Sequence, residues 1–88
     1  MENSADSLRK QLVFLAERRS MAEVEQILSR FVAQRLAGLA DDACRRVILL
    51  LQQTDLDLLE WLSGQREPPE GIDREVLDWI APYRIVAV

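Results

Sequence analysis

The chain has 88 residues, 49% of them apolar, and its 15 acidic against 11 basic side chains leave a formal charge of −4. A chain this short buries only about 60% of the surface that its unfolded form exposes, so one domain with one modest core is expected over residues 1–88. With no histidine and one cysteine, Cys44, it lacks the usual base at neutral pH, the commonest metal ligand, any internal disulfide and any multi-thiolate zinc site.

Leu8, Leu12, Leu15 and Ala16 recur at helical spacing with Arg9, Lys10, Glu17 and Arg18 mostly on other faces, which predicts a first amphipathic helix after a frayed N-terminus at residues 1–7. Ser20-Met21-Ala22-Glu23 has the form of a capping box, so a second helix is expected to start at Ser20. Val24, Ile27, Leu28, Phe31 and Val32 form its stripe to about Leu36, and Gly38 is its stop signal. Asp41 or Asp42 is the expected cap of a third, central helix with Cys44, Val47, Ile48 and Leu51 inward and Leu49 and Leu50 widening the apolar surface. Thr54-Asp55-Leu56-Asp57 opens a fourth helix, with two carboxylates where the helix dipole favours them, running through Leu58, Leu59, Trp61 and Leu62 to Gly64. Residues 65–71, with Pro68 and Pro69, read as a loop. Ile72, Val76, Leu77 and Ile80, flanked by Trp79, mark a last helix that Pro82 closes, leaving residues 83–88 as a tail, extended from Arg84. No strand alternation is strong enough to predict a sheet. The result is an all-α fold, a single small five-helix, bundle-like domain.

The one lysine, Lys10, follows no glycine-rich loop, so a phosphate-cradling loop is absent, and the chain reads as a protein other than an enzyme. The longest apolar run, residues 47–51, falls far short of the about 18 residues of a membrane span, so no membrane insertion is expected. Glu2, Asp6 and Glu17 among the early basic residues are unlike a transit or signal peptide, and a cytoplasmic bacterial setting is expected. Residues 1–40 carry 6 basic and 5 acidic groups and residues 41–88 carry 5 and 10. That acidic second half would repel phosphate, and although Arg18-Arg19 and Arg45-Arg46 could form a basic face locally, the balance argues against nucleic acid, so no nucleic-acid partner is expected.

Two clusters stand out. At Arg18-Arg19-Ser20-Met21-Ala22-Glu23, two guanidiniums, a thioether and a carboxylate crowd a helix start, a composition suited to an interface, although capping alone accounts for Ser20 and Glu23. Asp55, Asp57 and Glu60 are most simply helix-dipole partners, Trp61 a core residue and Cys44 a small buried hydrophobe, since calcium-type ligand spacing is missing.

The order of these features resembles the FAD assembly factors, or flavinators, of succinate dehydrogenase. The likeness is carried by residues 18–23, by RVILLLQQTDLDLLEWLSG at 46–64 with its Asp-x-Asp-Leu-x-x-Trp-Leu portion at 55–62, and by Pro68 downstream. The resemblance implies a five-helix protein that binds the flavoprotein subunit of succinate dehydrogenase, or of fumarate reductase, and promotes covalent attachment of FAD to a histidine of that subunit. It implies no stably bound cofactor here, because FAD is carried by the partner and this chain has no histidine to receive it. The family's Arg-Gly-x-x-Glu signature falls on Arg19, Ser20 and Glu23, with serine in place of glycine. Arg19 and Glu23 are therefore expected to touch the flavoprotein near its flavin site, with Arg18, Ser20 and Met21 beside them in the partner-binding set. A monomer is expected. The alternative reading of the same surface is a helical adaptor or antitoxin with a different partner.

Overall fold

The computed structural model describes residues 4–84, whose regular elements are all helical, as the periodicity predicts. Helix α1 (Ser4–Glu17) turns Leu12 and Ala16 fully inward with Leu8 and Leu15 half-buried beside them. It begins at Ser4, so residues 4–7, expected to fray, are helical, while residues 1–3 lie outside the described residues. Helix α2 (Ala22–Arg35) buries Val24, Ile27, Leu28 and Phe31 at successive turns and passes into a 3-10 turn at Leu36–Gly38.

Helix α3 (Asp41–Leu50) is capped differently from expectation. Its N-cap is Ala40, with no side-chain capping bond, and Asp41 and Asp42 occupy the first turn. Asp41 instead pairs with Arg9 of α1 at 3.2 Å, and the same guanidinium donates to the Leu39 carbonyl, so the acid joins two helices. Cys44, Val47, Ile48, Leu50 and Leu51 face the core, whereas Leu49, expected to widen the apolar surface, is 69% exposed. Burial pushes the Cys44 thiol above its ordinary range, consistent with a small core hydrophobe.

Helix α4 (Asp55–Ser63) starts where Thr54 predicts, its hydroxyl accepting from the Asp57 amide at 3.2 Å. It ends at Gly64, whose φ of 80° is the left-handed conformation that glycine adopts without steric cost. Helix α5 (Arg74–Ile80) starts two residues later than the stripe from Ile72 suggests, because Asp73 is its N-cap and accepts from the Val76 amide at 3.2 Å. Arg46 of α3 reaches the same carboxylate through two bonds of 2.8 and 2.9 Å, joining α5 to the centre. Pro82 does not end the ordered chain. It sits in a 3-10 turn at Ala81–Tyr83, and Tyr83, expected in a tail, packs edge-on to Phe31 with ring centroids 5.9 Å apart. Residues 85–88, expected to be extended, lie outside the described residues.

Helix α1 packs on α2 and α3, and α2 packs on α4, α5 and the C-terminal turn, with Leu12, Ile27, Leu28, Phe31, Leu58 and Ile80 fully buried between them. At about 1.5–3 kcal/mol for each fully buried large side chain, this one cluster is the main source of stability. No described helix is long and apolar enough to cross a membrane.

Candidate functional site

The connection between α1 and α2, residues 18–21, lies where four helix ends meet. The C-termini of α1 and α3 and the N-termini of α2 and α4 converge there, and the oppositely charged Arg19 and Asp55 sit among them. Arg19 is in phase with the α1 stripe, four residues after Leu15, so its side chain follows the apolar residues inward. That side chain is only 6% exposed. Its Nη1 donates to the Leu15 carbonyl at 3.1 Å and the Leu51 carbonyl at 3.0 Å, and its Nη2 to the Gln53 carbonyl at 3.0 Å. Its Nε donates to Asp55 Oδ1 at 2.7 Å, and Nη2 lies 2.6 Å from the same oxygen. The guanidinium thereby satisfies carbonyls that the ends of α1 and α3 leave without an intrahelical partner.

Asp55 is the complement. It is 7% exposed, and its Oδ2 accepts from the Met21 amide at 2.8 Å and from the Ser20 hydroxyl at 3.3 Å. Burial raises its pKa, but the Met21 amide, the Arg19 guanidinium and the Ser20 hydroxyl outweigh that effect and hold the carboxyl below the usual carboxylate range. A cation at helix C-termini and an anion at helix N-termini each gain about 0.3–1 kcal/mol from the dipoles, more when partly buried. Taking two charges out of water costs several kcal/mol per ion, so the pair holds only because nearly every donor and acceptor is used.

This geometry corrects two expectations. Ser20 is not the cap of α2. The N-cap is Met21, with extended backbone (φ −110°, ψ 123°) and no side-chain bond within its own turn. The N-cap amide that a capping-box glutamate would accept is taken by Asp55 from α4, so the helix starts one residue late and Glu23, at its second position, is left exposed. Arg19, expected at the surface, has its guanidinium committed inside the domain, because the chain turns there to join α2.

The remaining predicted residues form the outer face of the turn. Arg18, Ser20 and Glu23 are exposed, and Met21 is half-buried against the core. Ser20 has no positive φ, since among the described residues only Gly64 and Gly71 do, so the turn needs no glycine here. Its hydroxyl is drawn to Asp55. The Arg18 guanidinium lies 4.8 Å from the centroid of the Phe14 ring, which is 53% exposed, and so joins the turn to a shallow groove lined by Arg9, Lys10, Val13, Phe14, Glu17 and Leu36.

The acidic residues of α4 do not converge. Asp57 and Glu60 both pair with Arg66, whereas Asp55 faces Arg19. Among the described residues no group of three or more histidine, cysteine, aspartate or glutamate side chains is placed to hold a metal ion. Asp55, expected to be a helix-dipole partner at the start of α4, is in addition the buried acceptor for the turn between α1 and α2. Its signal was its phase, three residues before Leu58 and seven before Leu62, which continues the buried stripe of α4 backward onto a carboxylate.

A family model described as the flavinator of succinate dehydrogenase matches residues 10–84. The chain is 35% identical over 72 residues to the mitochondrial succinate dehydrogenase assembly factor 2 of Dictyostelium discoideum, a match covering 82% of this chain and 51% of that protein. It is 33% identical over 63 residues to the protein of the same name from Schizosaccharomyces japonicus, covering 72% and 44%. With the FAD assembly factor SdhE of Legionella pneumophila strain Lens it shares 28% identity over 79 residues, covering 90% of this chain and 95% of that one. The chain thus spans about half the length of the mitochondrial relatives it matches. No solved structure matches it. The match takes in both halves of the buried pair and the whole turn between α1 and α2, and the chain belongs to the family of flavinators of succinate dehydrogenase.

Proposed function

We propose that this chain is an assembly factor that binds the flavoprotein subunit of succinate dehydrogenase, or of the related fumarate reductase, and promotes covalent attachment of FAD to a histidine of that subunit. The observation that carries this reading is the family match over residues 10–84 together with a turn fixed from beneath by Asp55. Arg18, Ser20, Met21 and Glu23 form the partner-binding face, and Arg19 belongs to the site by holding that face in place.

The chain contributes position rather than chemistry. With no histidine and one buried thiol, it acts by preferring the arrangement of the flavoprotein in which FAD and the acceptor histidine are aligned, and such a preference shifts the population toward the reactive state. FAD stays on the partner throughout, and the assembly factor works as a monomer. We place its action in the cytoplasm of a bacterium, a reading supported by the nearly complete overlap with the Legionella relative.

The test is covalent flavin in the flavoprotein subunit, read as fluorescence in a denaturing gel from cells with and without the gene. Loss on deletion and recovery with the wild-type chain is the expected outcome. Flavin unchanged by deletion would overturn the reading.

A further inference from the structure

Four residues of α4 and its approach, Thr54 to Asp57, contain two acids with different surroundings. Asp57 is half-exposed and paired to the exposed Arg66, whereas Asp55 is buried and spends both oxygens on the turn between α1 and α2. Thr54 already caps α4 by accepting from the Asp57 amide, so α4 does not need the Asp55 carboxylate for its own start. That carboxylate instead accepts from three consecutive residues of another segment, from the Arg19 guanidinium, the Ser20 hydroxyl and the Met21 amide.

Those bonds fix different degrees of freedom. The Met21 amide bond sets the direction in which the chain enters α2, and therefore where Glu23 projects two residues later. The Ser20 bond selects one hydroxyl direction, toward the domain. The Arg19 bond holds that side chain inward and leaves Arg18 on the outside over Phe14. A four-residue connection held only by its own backbone would sample many arrangements, and a partner that binds one of them would find its apparent affinity lowered by the fraction competent.

We infer that Asp55 is a positioning residue for partner recognition, which presets the turn so that Arg18, Ser20, Met21 and Glu23 present one fixed face to the flavoprotein. This rests on the proposed function and extends it to a residue that never touches the partner. The pair with Arg19 is its anchor, and the Met21 amide bond is the part that transmits position to α2.

The experiment separates positioning from stability. Apo flavoprotein subunit and FAD are mixed with increasing concentrations of the purified chain, and the covalent flavin formed gives a maximal rate and a half-saturating concentration. The chains are wild type, Asp55→Asn, the double variant Arg19→Met/Asp55→Leu, and Leu77→Ala, a core truncation on α5 far along the chain. The double variant removes both charges together and leaves neither buried alone, so it retains more of its Tm than a variant losing one charge. Asp55→Asn and the double variant are expected to raise the half-saturating concentration about tenfold or more with an unchanged maximal rate, while Leu77→Ala shifts it by less than about twofold at a similar loss of Tm. Half-saturating concentrations that follow Tm across all the variants would overturn the inference and leave the proposed function standing. A wild-type chain that produces no covalent flavin would overturn both.

Discussion

The Arg19 Nε and the Asp55 Oδ1 stand 2.7 Å apart across 36 positions of sequence, with both side chains more than nine-tenths buried. The bond joins two buried opposite charges at the meeting of four helix ends, and it makes the turn between α1 and α2 a consequence of tertiary packing. Neither residue could be replaced without exposing the other's burial cost.

Arg19→Ala is accordingly expected to destabilise the domain by about 3–5 kcal/mol, because it leaves Asp55 buried without its counter-charge. It also strips the Leu15, Leu51 and Gln53 carbonyls of their donor. Urea unfolding followed by circular dichroism measures the loss. A change below about 1 kcal/mol would show that the pair is solvated and carries little.

Much of this was legible in the sequence, for reasons that differ residue by residue. The five helices follow from period alone, since Val24, Ile27, Leu28 and Phe31 or Leu58, Trp61 and Leu62 have only one face to bury. The caps at Thr54 and the stop at Gly64 are local chemistry and were read correctly. Ser20 was misread because the capping box is also local chemistry, and here an acid from α4 displaced it. The Asp73 cap of α5 is local chemistry that the apolar stripe from Ile72 obscured, whereas its bond to Arg46 and the packing of Tyr83 on Phe31 span 27 and 52 positions, beyond any local pattern. Arg19 and Asp55 each extend an apolar stripe in phase, and a charge at such a position is buried only where an opposite charge meets it.

The depressed pKa of Asp55 has a consequence in acid. A carboxylate held lower in the folded state gives stability that is complete above its unfolded value of about 3.9 and is lost as pH falls through the folded value. Asp73 shifts in the same direction, chiefly through its bonds with Arg46, so the wild-type curve contains both. Asp55→Asn should therefore be less stable than wild type at neutral pH, and the gap should narrow as pH falls below about 4. Unfolding free energies measured from pH 7 to pH 2 decide this, and a gap constant over that range would mean that Asp55 titrates alike in both states.

Cys44 offers a chemical readout of opening. It is completely buried in α3, and burial pushes its thiol above the ordinary range, so both access and thiolate fraction are low in the native state. A thiol reagent at pH 8 should label the native chain slowly, at a rate set by the opening equilibrium, and Arg19→Ala should accelerate labelling by about tenfold for each 1.4 kcal/mol of stability it loses. Rapid labelling of the wild-type chain, equal to that in denaturant, would contradict the packing of α3.

Arg18 and Glu23 should behave oppositely to Arg19, although all three lie within six residues. Both are exposed, Arg18 lies over the Phe14 ring, and Glu23 sits in the first turn of α2 where its charge is favoured by a few tenths of a kcal/mol. Arg18→Glu and Glu23→Lys are each expected to change stability by about 0.5 kcal/mol or less, since neither removes a buried contact or a cap. Reversing a charge on a docking face is a different matter, because it sets like charges against each other across the interface and slows encounter as well as weakening the complex. Covalent flavin in the partner subunit should fall about tenfold or more with either variant at limiting assembly factor, and recover when the factor is in excess. Both variants giving wild-type flavin at every concentration would remove this face from the site and move the search for the contact surface to the groove beside Phe14 and Leu36.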